Sequence, residues 1–195
     1  VATFSHRSWC TSRRSYCQRA RRHSSLINGF FIDSLKSMDH IIALSDTDRR
    51  LLASLGLPRN KITVIPNGID PDKFRIRKQF VERNEKTKIL CVARFERNKN
   101  YESLVHTVSK FKNDGLDLEA YFVGNITDRQ YFEKIVGLLK KKGLGEVIKI
   151  GVSVDDPALI DCYLSCDVFV LPSNMETFPL VILEAMYTGL PIVAT

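Results

Sequence analysis

The feature that most constrains the fold is a regular alternation of short apolar runs with helical periods after residue 88. Strands bounded by glycine, proline or polar residues are separated by segments with a 3.6-residue apolar period. Such alternation indicates a parallel sheet with right-handed crossovers, hence an α/β fold. The predicted strands are residues 89–93, 118–123, 147–150, 168–171 and 191–195, and the predicted helices include 128–142 and 156–165.

The first third of the chain shows the same alternation on a smaller scale. Residues 26–37 are predicted to be helical, 39–44 and 61–65 to be strands, and Ser45 to cap a helix over 46–55. Residues 71–87 are polar and show little apolar periodicity. We therefore expect two domains, residues 1–75 and 88–195, joined by a linker at 76–87.

Composition is that of a soluble globular protein, with 44% hydrophobic and 26% charged residues in 195. The longest apolar runs are too short to cross a bilayer. The chain starts without Met or a signal peptide, so an internal fragment is expected. Five cysteines without metal-like spacing fit a reducing compartment. We expect a cytoplasmic protein, peripheral at the cytoplasmic membrane face if its arginines contact lipid.

The net charge of +7 is concentrated near the N-terminus, where residues 1–32 contain six arginines and no acid. Such a patch could meet anionic lipid, a phosphorylated acceptor or nucleic acid. A solvated helix face explains it equally well. No nucleic-acid-binding motif is present, so no nucleic-acid partner is expected. The arginines are Arg7, Arg13, Arg14, Arg19, Arg21 and Arg22.

Two pairs of residues could suggest a metal site. Asp46 and Asp48 form an Asp-x-Asp pattern, but they open a predicted helix, where acids favour the helix dipole. Cys162 and Cys166 are four apart on a predicted helix, and two ligands are too few for a zinc site. We interpret both pairs as structural and expect no metal and no other cofactor.

Each predicted strand after residue 88 ends at a residue that could face a ligand. Ligands of open α/β sheets bind beyond the carboxyl ends of the strands. Cations, glycines that allow close backbone approach, and carboxylates would collect on one rim, which fits a nucleotide sugar. Alternatively, Arg94 only pairs with Glu96, Gly124 is a turn residue, and the carboxylates serve helix electrostatics. The candidates are Arg94, Lys99, Gly124, Gly151, Glu176 and Glu184.

Several short motifs follow one another along the chain. They are Val64-Ile-Pro-Asn-Gly-Ile-Asp70, the Arg94 and Lys99 pair, Leu171-Pro-Ser173, Glu176-x7-Glu184 with Ala185-Met186, and Gly189-Leu-Pro191. In this order and spacing, the chain resembles the retaining glycosyltransferases of family 4, which have the GT-B fold. The resemblance covers about residues 39–195 and is weaker before residue 39.

The resemblance implies two Rossmann-like domains, both incomplete here. Residues 1–75 would be the C-terminal part of the acceptor-side domain. Residues 88–195 would be the N-terminal part of the domain that binds a nucleotide-sugar donor. The expected activity is that of a retaining hexosyl- or glycosyltransferase acting on a glycan, lipid-linked or small-molecule acceptor. The fragment itself is expected to be inactive.

The resemblance also implies roles for individual residues. Arg94 and Lys99 would hold the donor diphosphate and stabilise the leaving nucleoside diphosphate, and Glu176 would contact the transferred sugar. Glu184 would accept hydrogen bonds from the ribose. Arg94, Lys99 and Glu176 are therefore the expected catalytic residues. Backbone contacts to the donor are expected at Gly68, Gly124, Gly151, Phe178, Pro179 and Leu180.

The chain departs from the family pattern at two positions. Family members often have Gly where this chain has Pro179, which lacks an N–H group. They also often carry a His at the end of the first visible strand, and here His6 lies one residue late. His6 is a candidate donor-sugar contact, and a surface histidine is the alternative.

Two other functions fit the same sequence. One is a nucleotide-sugar 2-epimerase or another GT-B enzyme, which would use the same donor rim. The other is a non-catalytic module that binds anionic surfaces through its arginine-rich segment.

Overall fold

A computed structural model describes residues 32–74 and 86–195. The chain divides into two compact units, residues 1–66 and 67–195. Every strand pair in the described residues is parallel. The predicted α/β class is therefore confirmed.

The first unit contains a helical segment at residues 32–37 followed by a small strand–helix–strand unit. Strand β1 pairs with β2, with Ile42 opposite Thr63. Ser45 caps the helix as predicted, since its Oγ accepts a hydrogen bond from Asp48 N at 3.1 Å. The elements are β1 (Ile41–Ala43), α1 (Asp46–Ser54) and β2 (Ile62–Val64).

The second unit is built on a five-stranded sheet in the order β5-β4-β3-β6-β7. Counted along this unit, the order is 3-2-1-4-5, which is that of a Rossmann sheet. The strands are β3 (Thr87–Val92), β4 (Leu118–Val123), β5 (Ile148–Gly151), β6 (Val168–Leu171) and β7 (Ile192–Ala194).

Four helices connect these strands and cover the sheet. Helix α2 buries Tyr101, Leu104, Val105 and Val108, whereas Phe111 is partly exposed. None of the helices in the described residues is long and apolar enough to span a membrane. The helices are α2 (Tyr101–Asn113), α3 (Arg129–Lys141), α4 (Asp156–Ser165) and α5 (Leu180–Tyr187).

Residues 67–74 belong to the second unit, although sequence analysis assigned residues up to 75 to the first domain. Ile69 and Phe74 pack against the core of the second unit. The Phe74 ring lies 6.2 Å from that of Tyr163 and 5.3 Å from that of Tyr187. Burial of this aromatic ring attaches the segment to the second unit. Most of the predicted linker, 76–87, lies outside the described residues.

The cysteine pair of α4 contributes to the core as predicted. Cys162 packs against the core from within the helix, and Cys166 is buried at the position that ends it. The acids of the Asp-x-Asp pattern have partners within α1, since Asp46 pairs with Arg49 at 2.6 Å and Asp48 accepts from Ser45 Oγ at 2.7 Å.

Candidate functional site

The strand order places a topological switch point between β3 and β6. The chain leaves β3 for β4 on one side of this pair and leaves β6 for β7 on the other side. The two connections therefore run in opposite directions along the sheet. In open α/β sheets, ligands bind at such a switch point, outside the carboxyl ends of the strands. The loops that follow β3 and β6 carry Arg94, Lys99 and Glu176. The predicted rim residues are therefore centred on this point.

Lys99 and Glu176, from the loops after β3 and β6, are in direct contact. Lys99 Nζ lies 2.6 Å from Glu176 Oε1, and the two side chains are only 12% and 20% exposed. Lys99 ends a short 3₁₀ helix, Arg97–Lys99, while Glu176 lies in the loop before α5. Partial burial raises the cost of leaving either charge unpaired. The pair thus joins the predicted diphosphate-binding cation to the predicted sugar-binding carboxylate.

Asn98 joins the same two loops through both its main chain and its side chain. Its carbonyl oxygen accepts from Asn174 N at 2.8 Å, and its Nδ2 donates to Met175 O at 2.8 Å. Asn100 then turns the chain into α2 with φ of 50°, a left-handed conformation that Asn tolerates better than most residues. Asn98 therefore holds the Glu176 loop against the turn that carries Lys99. Sequence analysis did not single out this residue.

Arg94 follows β3 and is largely exposed. Its Nη2 lies 3.2 Å from Glu96 Oε1, so the pairing considered as the alternative from sequence is present. The Arg94 side chain is 61% exposed, whereas the Glu96 side chain is only 24% exposed. The exposed guanidinium is accessible to an anionic ligand, but Glu96 would lose its partner if Arg94 turned to that ligand.

Glu184 lies in the second turn of α5 and is held by a residue of α4. Its Oε2 accepts a hydrogen bond from the Tyr163 hydroxyl at 2.8 Å. Tyr163 is 1% exposed. Sequence analysis did not identify Tyr163, because a tyrosine in an apolar helix is ordinarily a core residue.

Helix α5 begins at Leu180, shortly after Phe178. Pro179 occupies the cap position with an extended backbone and provides no side-chain cap. The first N–H groups of a helix have no partner within it. The backbone N–H groups of Leu180 and of the residue after it therefore remain available to an anionic or hydroxyl-bearing ligand.

The three candidate glycines have different surroundings. A Cβ atom at Gly124 would lie 1.9 Å from the carbonyl oxygen of Ala93, and one at Gly151 would lie 3.1 Å from Val154 Cγ1. A Cβ at Gly68 would meet nothing within 4 Å. Gly124 is thus required by close approach to the backbone after β3, a reason that sequence analysis missed. Contact of these glycines with a donor stays a prediction.

His6 and the six N-terminal arginines lie outside the described residues. Their predicted contacts with a donor sugar or an anionic surface stay predictions.

Comparison with protein families gives matches over the whole chain. The family described as Glycosyl transferases group 1 matches residues 72–195, and that described as Glycosyltransferase Family 4 matches residues 1–73. These two ranges meet within the segment that attaches to the second unit.

Curated relatives are 26–32% identical to this chain over the aligned residues. The D-inositol 3-phosphate glycosyltransferase of Arthrobacter sp. (strain FB24) is 31% identical over 142 residues, which cover 69% of this chain and 34% of the relative. The mannosylfructose-phosphate synthase of Agrobacterium fabrum is 31% identical over 175 residues, covering 82% and 38%. The chain thus spans well under half the length of these relatives.

Solved structures show the same fold. Anabaena HepE, in complex with UDP and glucose, superposes with a TM-score of 0.76 at 19% identity, covering 90% of this chain and 49% of HepE. The sucrose-phosphate synthase of Thermosynechococcus elongatus gives a TM-score of 0.73 at 24% identity, covering 89% and 45%. At these identities the likeness concerns the fold alone, and the predicted GT-B class is confirmed as an incomplete fold.

Proposed function

The chain belongs to the glycosyl transferases group 1 family, and we therefore propose that the full-length protein transfers a sugar from a nucleotide-diphosphate sugar to an acceptor. The contact between Lys99 and Glu176 at the switch point carries this proposal. It brings a partly buried cation and a carboxylate to the place where this type of sheet binds nucleotides. HepE, a structural neighbour, is described in complexes with UDP-glucose and with UDP and glucose.

Lys99 and Arg94 supply the charge that a leaving diphosphate requires. Lys99 acts as a point charge, and the planar Arg94 guanidinium can bind two phosphate oxygens at once. When the glycosidic bond to phosphate breaks, its electron pair stays on the phosphate oxygen. Fixed cations next to that oxygen stabilise the developing charge more than they stabilise the ground state.

The Lys99–Glu176 pair gives donor binding a specific consequence. A phosphate oxygen that binds Lys99 Nζ replaces the Glu176 carboxylate as the partner of the ammonium group. The released carboxylate can then accept hydrogen bonds from hydroxyl groups of the transferred sugar. Neither charge is left unpaired in the bound or the free state, which avoids the cost of an isolated, partly buried ion.

Transfer is proposed to retain the anomeric configuration by front-face attack. The acceptor oxygen forms a bond to the anomeric carbon while the bond to phosphate breaks on the same face. The acceptor hydroxyl proton passes to the departing phosphate oxygen. This route needs no pair of carboxylates at glycosidase spacing. The acceptor would be a glycan, a lipid-linked molecule or a small molecule. The six N-terminal arginines favour one that carries negative charge.

A donor screen on the full-length protein tests this function. UDP-, GDP- and ADP-sugars are incubated with candidate acceptors, nucleotide release is measured, and the anomeric configuration of the product is determined by NMR. We expect release from one donor class and an acceptor-linked sugar with retained configuration. A free epimerised sugar as the sole product would identify a 2-epimerase, and an inverted product would contradict front-face transfer.

The proposed ribose contact is tested with Glu184→Ala. Removal of the carboxylate should weaken binding of the nucleotide sugar. Unchanged donor affinity in a folded variant would count against the site. Vesicle binding without any transferase activity, lost when the N-terminal arginines are neutralised, would favour the anionic-surface module instead.

A further inference from the structure

We propose that Tyr163 is a positioning residue for the nucleotide site, which holds Glu184 through one carboxylate oxygen and keeps the other as an acceptor for ribose hydroxyls. This inference rests on the proposed function, because it assumes that Glu184 contacts the ribose. It adds a residue on a different helix to the site.

The geometry fixes the direction of the Tyr163 hydroxyl. The ring stacks on Phe169 of β6 at a centroid distance of 5.9 Å and an interplanar angle of 24°. A second ring contact is the edge-to-face arrangement with Phe74, at 6.2 Å and 72°, and the hydroxyl also lies 3.5 Å from Val181 O. The side chain is 1% exposed, so the ring has little freedom to rotate away. The packing of the core therefore holds the hydroxyl 2.8 Å from Glu184 Oε2.

One oxygen of the Glu184 carboxylate is bound by the core, and the other is left for a ligand. Oε2 accepts from Tyr163, whereas Oε1 has no hydrogen-bond partner in the part of the chain that the structure describes. An ionised carboxylate accepts several hydrogen bonds through both oxygens. One bond from a rigid phenol fixes the plane of the group and leaves Oε1 to accept from a hydroxyl of a ligand.

Tyr163 remains a donor throughout the working pH range. Burial, followed by the neighbouring Glu184 carboxylate, raises the pKa of Tyr163 far above its ordinary value. A protonated phenol can only donate to an ionised carboxylate, so the direction of this hydrogen bond does not change.

The test compares Tyr163→Phe with Tyr121→Phe in the full-length protein. Both variants remove a hydroxyl that donates to a glutamate at nearly the same distance, 2.8 Å to Glu184 and 2.7 Å to Glu119. Tyr121 lies on β4 and its bond joins two residues of that strand, so it serves as the matched control. Phe keeps the ring and its packing in both cases.

The readout is the ratio of affinities for UDP and 2′,3′-dideoxy-UDP, or for the corresponding pair with the base that the donor screen selects. Calorimetric titration should show that wild type prefers the ribose form. In Tyr163→Phe this preference should shrink about tenfold, the usual size of a hydrogen bond to a charged group, while affinity for the dideoxy form stays within about twofold. Tyr121→Phe should keep the wild-type ratio.

A third arm, Glu184→Ala, separates failure of the inference from failure of the proposed site. A wild-type ratio in Glu184→Ala would refute the proposed ribose contact and the inference with it. A reduced ratio in Glu184→Ala together with a wild-type ratio in Tyr163→Phe would refute the inference alone. If Tyr163→Phe is thermally labile, all titrations are run below its unfolding transition, so that the ratio is still measured on folded protein.

Discussion

Gly124 provides a sharp test of how the site is built, because its surroundings leave no room for a side chain. In Gly124→Ala, the new Cβ would lie 1.9 Å from the oxygen and 2.7 Å from the carbon of the Ala93 carbonyl. A carbon atom makes only a weak contact with a carbonyl oxygen at about 3.3 Å, so the atoms must separate by about 1.4 Å. Both clashing atoms belong to the backbone and cannot rotate away.

The size of the effect follows from what holds Ala93 in place. Its N–H donates to Val123 O at 2.9 Å, and its carbonyl accepts from the Tyr101 hydroxyl at 2.6 Å. Overpacking of this kind costs about 1–3 kcal/mol, and loss of a buried hydrogen bond adds about 1 kcal/mol. We therefore expect Gly124→Ala to lower the free energy of unfolding by about 2–4 kcal/mol.

Thermal unfolding of the full-length protein measures this effect, with Gly137→Ala as the control. Gly137 lies inside α3, and a Cβ there would meet nothing within 4 Å. Ala should stabilise that helix by about 0.5–1 kcal/mol. At about 2–4 °C per kcal/mol, Gly124→Ala should lower Tm by about 10 °C, whereas Gly137→Ala should raise it slightly. A wild-type Tm for Gly124→Ala would refute the close approach to Ala93.

Two further predictions concern the neighbourhood of the site. Asn98→Ala removes the hydrogen bond from Nδ2 to Met175 O and so releases the Glu176 loop. Steady-state kinetics should then show about a tenfold lower kcat/KM with little change in Tm. Wild-type kinetics would show that this bond does not position Glu176. Burial raises the pKa of the Cys91 thiol to about 12, against the lowering effects of Tyr101 and Lys99. Peptide mass spectrometry should therefore find Cys91 unmodified after iodoacetamide treatment of the native protein at pH 8 and modified after unfolding, and rapid modification in the native state would contradict its burial.

Local patterns predicted the elements of the second unit well. The strands 118–123 and 168–171 and the helix 156–165 have the predicted bounds, because turn or capping residues such as Gly124, Asp155 and Pro172 flank them. Local sequence patterns did not predict the order of the strands in the sheet. Ile89 pairs with Val168, although most of the unit's sequence lies between them. Apolar runs of similar length do not indicate which strand each one will pair with.

Phe74 shows why the predicted first domain, residues 1–75, differs from the first compact unit, residues 1–66. It is a single aromatic residue in a polar stretch, so it produces no period that would indicate burial. Its position in the second core depends on rings from α4 and α5. A tertiary contact of this kind has no local trace in the sequence.

The sequence indicated candidate residues for the site but not the contacts between them. Cations and carboxylates at strand ends indicated a rim, but Lys99 and Glu176 are 77 residues apart, and nothing in their spacing indicates that they touch. Asn98 contacts the loop that carries Glu176, and Tyr163 contacts Glu184. Their side chains match no motif, so only the structure identifies them.

The most direct test of the central claim is whether Lys99 recognises a diphosphate. Affinities of the full-length protein for UDP and uridine, or the pair with the selected base, are compared between wild type and Lys99→Met. Lys149→Met is the control, because Lys149 pairs with Glu119 at 3.2 Å on the exposed sheet surface. The double variant Lys99→Met with Glu176→Gln removes the carboxylate that the single change leaves without its partner.

If Lys99 binds the diphosphate, the preference for UDP over uridine should fall at least about tenfold in both Lys99 variants, while uridine affinity and the Lys149→Met preference stay at wild-type values. An unchanged preference in folded Lys99→Met would contradict a diphosphate site at the switch point between β3 and β6.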